Sequence, residues 1–315
     1  MNLSQVFLNQ NKRLRSGWRF AVFMFAMVLL TAIVGGIAGA IVYYYLPLGF
    51  SENSLLGFAF PGLTLLCFSI LVGWLCGKYL EDLPFRALGC WFTRNWARDL
   101  LSGLILGAAS ISFAVLITMI FGGTSFQLNR ESGQSAIVLT LAVSLLIFVI
   151  GAAAEEAFFR GYMLQTFSRA KLVLFGIVFT SLFFGYTHNA NPSANYLSFF
   201  NTVLAGAWFG AAYLKTRTLW LVFGLHLSWN WFQGAVLGIN VSGISEITRS
   251  PLLQPTFSGS TFLTGGDYGI EGGIACTIAL IFSTLLIWFL PILKPTEEML
   301  ALTSEEKPNR EAVTN

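Results

Sequence analysis

The sequence predicts an all-α fold, a polytopic transmembrane helix bundle of about eight spans. Three observations carry this. Of 315 residues, 55% are hydrophobic and only 10% are charged, where a soluble domain carries about a quarter. Mean hydropathy is +0.70, more apolar surface than a soluble fold of this size could hide. Charge-free stretches recur at the length that crosses a bilayer, about 20 residues each. The composition excludes a soluble enzyme, a secreted disulfide scaffold and a nucleic-acid binder, and makes the lipid bilayer the first partner. The four cysteines, Cys67, Cys76, Cys90 and Cys276, lie in or beside apolar runs without a CxxC and read as free thiols.

The spans follow in order. Phe20–Leu46, Asn53–Gly77, Leu100–Asn129 and Ser132–Ala154 give four. The first is too long, and wrongly flanked, for a cleaved signal peptide. Leu172–Leu214 carries no charge but is broken by the turn-rich run 189–195, so it makes two spans. Thr218–Leu237 is a seventh and Gly272–Leu293 an eighth. Residues 239–271 form a long loop rich in Gly, Ser and Thr, and 295–315 read as a short, polar, frayed tail. The chain divides into 1–94 (two spans and a loop), a core at 95–240, and 241–315 (loop, final span and tail).

Sixteen of the 18 Lys and Arg fall at the N-terminus, in alternate turns and at the C-terminal end. Only Arg130 and Arg249 lie on the other face. Basic short loops mark the cytoplasmic side. The expectation is a multi-pass protein of the plasma (inner) membrane with both termini cytoplasmic and residues 239–271 outside.

The chemistry is concentrated between 155 and 230. Glu155 and Glu156 end an apolar run and are followed by Arg160, on a helix expected to continue to about residue 168. Adjacent helical residues diverge by about 100°, so the two carboxylates cannot share a role. Arg160 is four residues from Glu156, the spacing of a helical ion pair, which leaves Glu155 facing elsewhere. The two histidines, His188 and His226, both fall in spans, and His226 shares a helix face with Asn230. Ionisable groups inside a membrane are costly and usually face a cavity. At about 1.5 Å per residue, Glu155 lies about 22 Å, His188 about 27 Å and His226 about 15 Å above their turns. They can therefore converge on one cavity, placed by this arithmetic in the cytoplasmic half of the membrane. A lone membrane histidine is as often a structural hydrogen-bonder as a catalyst; the matched heights of the whole set favour function.

The pattern Glu155-Glu156…Arg160, Phe184…His188 and His226…Asn230 resembles the CPBP family, the CAAX-protease and bacteriocin-processing (Abi-like) membrane proteins. All three elements stand in order on successive apolar segments. The resemblance covers about residues 95–240 and implies an intramembrane endopeptidase, a hydrolase acting on a membrane-anchored or lipidated protein or peptide. It implies Glu155 as general base helped by His188, His226 and Asn230 as oxyanion donors, and Glu156 and Arg160, with Phe184, as structural support. No HExxH or GxSxG is present. Thr264-Gly-Gly-Asp267 only approaches the GxGD of aspartyl membrane proteases and reads as a turn.

No cofactor is certain from these residues. Glu155, His188 and His226 are ligands of the right types for a divalent metal such as zinc, yet they come from three helices without short ligand spacing. The reading leans to a metal-free glutamate site and leaves the metal open. Two other function classes remain beside the protease: a non-proteolytic scaffold, immunity or transport partner of the same fold, and a proton or cation transporter. Intact motifs favour the enzyme over the first. The scarcity of polar residues in other spans disfavours the second.

Overall fold

The computed structural model describes residues 3–45 and 55–306. The junction between the first two spans and the basic residues Lys307 and Arg310 lie outside these. Among the described residues, eight apolar helices account for the expected spans: α1 Ser16–Ile41, α2 Leu56–Glu81, α3 Trp96–Ile120, α4 Gln134–Arg169, α5 Val173–His188, α6 Tyr196–Thr216, α7 Leu219–Trp231 and α8 Ile274–Phe289. Five of them (α1 to α4 and α6) are long and apolar enough to cross a membrane alone; α5, α7 and α8 are shorter. The protein is a multi-pass helical membrane bundle.

Two boundaries differ from the expectation. The third span stops at Ile120, and Thr124–Leu128 is a strand, β1, paired antiparallel with β2, Leu253–Phe257. Its register, Thr124 opposite Phe257 through Leu128 opposite Leu253, ties the turn after α3 to the long loop. The tail is not frayed through residue 306. Thr296 caps a ninth helix, α9 Glu297–Thr303, by accepting from the Met299 amide at 3.2 Å. Met299 and Leu302 bury themselves against Leu83 and Ala87, which is enough apolar anchorage to hold a short helix that its polar composition disguises.

α4 runs unbroken from Gln134 to Arg169, as its sequence predicts, with a π-helical stretch at Ala157–Met163. Such wide turns are frequent at functional sites. A second π-helical stretch, Phe232–Val236, extends α7.

The helix carrying His226 is seated by small residues. A Cβ at Gly103 on α3 would stand 2.2 Å from the Leu221 carbonyl oxygen, and one at Gly224 on α7 would stand 2.6 Å from the Leu100 carbonyl oxygen. Glycine on both helices lets the two backbones approach closely, the use small residues have in membrane bundles.

At the basic end, charges neutralise one another in the protein interior. Glu81 accepts from Arg169 Nε at 2.8 Å, from Arg169 Nη2 at 2.9 Å and from Arg19 Nη1 at 2.9 Å. Arg19 Nη1 also reaches Glu306 Oε1 at 2.8 Å, and Asn9 donates to the other oxygen of Glu306. One network thus joins the N-terminal segment, α1, α2, the end of α4 and the chain beyond α9.

Candidate active site

Glu155, His188, His226 and Asn230 line a single cavity of about 490 Å³. Glu155 projects from the middle of α4, His188 from the last position of α5, and His226 and Asn230 from one face of α7. The sequence-predicted residues are therefore brought together.

Glu156 and Arg160 pair as the helical spacing predicts, Nη1 to Oε1 at 3.1 Å, both buried. Arg160 also donates from Nη2 to the Gly206 carbonyl at 2.9 Å. Its guanidinium carbon lies 5.1 Å from the ring centres of Phe184 and Phe209 and 5.5 Å from that of Phe159. A buried cation so enclosed is held by its carboxylate, a carbonyl and three ring faces. Phe184 is consequently a wall of the Arg160 cage as well as the residue one turn before His188.

Glu156 has a second partner that the sequence does not announce. Its Oε1 is 2.8 Å from His226 Nδ1. A carboxylate only accepts, so Nδ1 carries the proton and Nε2 is turned into the cavity. The same logic fixes His188: its Nδ1 is 2.8 Å from the Phe184 carbonyl oxygen, so Nδ1 donates and Nε2 faces inward as an acceptor. Both inward nitrogens look at the same atom. Glu155 Oε2 lies 3.8 Å from His226 Nε2 and 4.0 Å from His188 Nε2, and makes no hydrogen bond among the described residues. Each base thus has its orientation set by a neighbour and its working atom left free.

The donor types suit zinc, and the groups stand wider apart here than ligands of one zinc ion do. Two ligands about 2.1 Å from a tetrahedral zinc stand about 3.4 Å apart, closer than the separations just given. Among the described residues no three His, Cys, Asp or Glu side chains are gathered as a metal-holding group. A water is better matched: hydrogen bonds of about 2.8 Å from one water can span groups this far apart.

Two parts of the site escape the motif. The first is Glu271, at the end of the long loop, which also lines the cavity. It accepts from Trp229 Nε1 at 3.2 Å and, on the other oxygen, from the amide and hydroxyl of Ser242. The Ser242 carbonyl in turn accepts from Asn191 Nδ2 at 3.1 Å, three residues after His188. This chain of bonds fastens the loop to α7 beside Asn230 and to the turn after His188. Gly243 (φ +81°) completes the fit, since a Cβ there would stand 2.0 Å from the Pro192 carbonyl oxygen. The signal available in the sequence is an acid in a glycine-rich run directly before an apolar span. The second part is the outer wall, which takes Phe58 and Leu65 from α2 and Cys276 from α8. The cavity therefore draws on residues beyond 95–240.

Along its helix His188 stands far from the basic turns. α5 has only 16 residues, about 24 Å. It starts beside Lys171 and ends at His188, so His188 sits at the end away from the basic turns. Asn191, Val241, Ser242 and Glu271 close that end of the cavity.

A membrane-embedded helical bundle with a carboxylate and two oriented imidazoles around one cavity defines the class. Comparison with known proteins places it further. Residues 137–232, which contain every motif residue, match the family described as type II CAAX prenyl endopeptidase Rce1-like. The match is confined to this segment and agrees with the resemblance to the CPBP proteins. It is also 26% identical over 235 residues to the uncharacterized protein YyaK of Bacillus subtilis (strain 168), covering 74% of this chain and 72% of that one.

Proposed function

We propose that the protein is an intramembrane endopeptidase of the inner membrane, with cytoplasmic termini and a metal-free Glu/His/His/Asn site. The observation that carries this reading is the free Glu155 oxygen facing two imidazole nitrogens whose tautomers are fixed from behind. Glu155, with His188 as the second acceptor, takes a proton from a water held between them. The resulting hydroxide attacks the scissile carbonyl carbon. The oxyanion forms beside the Asn230 amide, which has no hydrogen bond among the described residues, and beside His226 Nε2. With Nδ1–H committed to Glu156, His226 donates to the oxyanion only as an imidazolium, for which Glu156 supplies countercharge while Glu155 holds the water proton. On collapse the C–N bond breaks, the proton held at Glu155 passes to the leaving amine, and a new carboxylate and amine result. The family match supports a CAAX-type endopeptidase and, with it, a membrane-anchored protein or peptide as substrate.

Purified protein in liposomes, offered a pool of lipid-anchored peptides, should generate new peptide ends. Asn230→Ala should lower kcat by roughly 10²–10³ with KM little changed, the loss typical of one oxyanion donor. Peptides left intact by the wild-type protein would remove the hydrolytic reading.

A further inference from the structure

We propose that the cavity is served from the extracytoplasmic face, and that its substrate is an internal, membrane-proximal segment of an anchored polypeptide on that side. The substrate half of this statement rests on the hydrolytic reading above; the sidedness does not.

The first observation is where the reacting groups lie along their helices. Glu155 is 14 residues from Arg169, about 21 Å, and His188 is a full α5 length, about 24 Å, from the turn at Lys171. A hydrocarbon core is about 30 Å thick, so both lie beyond its middle when measured from the basic turns, while His226, seven residues along α7 and about 10 Å from its own turn, reaches up to meet them. The second is what lines the cavity. Its wall takes Asn191 from the turn after α5, Ser242 and Glu271, all on loops at the ends opposite the basic turns. The third is the charge asymmetry: leaving aside Arg160, buried inside α4, fifteen basic residues stand against two, which makes the basic turns cytoplasmic. Together these put the loop-lined wall of the cavity outside.

The wall also selects the kind of segment. Glu155 and Glu271 are its acidic members, and no Lys or Arg lines it. A chain end bearing a free carboxylate within a few residues of the cut would meet two carboxylates and, among the described lining residues, no cation other than the imidazoles engaged in the reaction. An internal segment brings no such charge. The geometry points away from the removal of a cytoplasmic C-terminal tripeptide and towards endoproteolysis outside.

The test has two arms. In cells carrying the full chain with Cys67→Ser, Cys90→Ser, Cys76→Ala and Cys276→Ala, single cysteines replace Thr187 (in the cavity wall), Tyr196 (the fully exposed start of α6) and Glu305 (at the opposite end). A membrane-impermeant maleimide added to intact cells should label positions 187 and 196, and should label 305 only after the membrane is opened. Labelling at 187 only from the cytoplasmic side would overturn the sidedness, and Tyr196→Cys reports topology even if the cavity variant fails to fold. In the second arm, peptide ends are mapped in membranes from cells with wild-type protein or Glu155→Gln. Ends lost in the variant should fall in extracytoplasmic membrane-proximal segments. Ends lost at cytoplasmic C-termini would overturn the substrate assignment. Identical ends in both strains would overturn the hydrolytic reading, while the labelling still decides the side.

Discussion

Arg160 shows how much one buried residue can hold. Its removal strands Glu156 in an apolar interior with only His226 as partner, and empties a cage built by Phe159, Phe184 and Phe209. Arg160→Ala should therefore cost on the order of 3 kcal/mol of stability, measured as a fall in thermal unfolding midpoint in detergent. An unchanged midpoint would mean that the ion pair is incidental. The pairing of Glu156 with Arg160 was legible from spacing alone, because i to i+4 on one helix is a local fact. The bond from Glu156 to His226 was not, since it joins residues 70 apart in sequence on helices whose rotation the sequence leaves open. Legible too were the identities of the four cavity residues, because ionisable groups in apolar spans stand out against their surroundings.

At the scale of elements, the long loop is a fixed roof rather than a linker. Its bonds run from α7 through Glu271 and Ser242 to the turn after α5. Glu271 accepts on both oxygens, so Glu271→Gln must turn an NH₂ group towards a donor whichever way the amide lies. The variant should lose roughly 1–3 kcal/mol and lower kcat, because Trp229 and Asn230 are neighbours on α7. Glu271→Asp should recover part of both, read by thermal unfolding and by turnover; full wild-type behaviour of the Gln variant would contradict the bracing role. The sequence concealed this because an acid in a Gly-rich loop looks solvated. It also concealed the seating of α7. Gly103 and Gly107 form a GxxxG in a span that otherwise looks featureless, and only the partner helix, with Gly224, shows what they are for. The height arithmetic found the meeting of the helices, which line one cavity.

Across the whole molecule, the cavity residues and the charge network occupy opposite ends. The cavity wall reaches the turn 189–195 and the roof, while Arg19, Glu81, Arg169 and Glu306 join both ends of the described chain at the basic face. The fold class was legible from composition and span length, but this closure was not, because a polar tail with a seven-residue helix carries no span signal. Glu306→Ala removes one of the two carboxylates on a fully buried Arg19. It should lower the unfolding midpoint and expose the segment after α9 to protease, with turnover per folded molecule retained because the cavity lies at the far end. Loss of turnover without loss of stability would show the two ends to be coupled. The central claim, that Glu155 activates water without a metal, is tested most directly by one comparison. Turnover of a lipid-anchored peptide is measured for wild-type protein, for wild-type protein after chelation with metal content determined, and for Glu155→Gln. The account predicts wild-type turnover after chelation and none for Glu155→Gln in a folded protein. Stoichiometric zinc whose removal stops turnover and whose return restores it, or a Glu155→Gln variant cleaving at the wild-type rate, would contradict it.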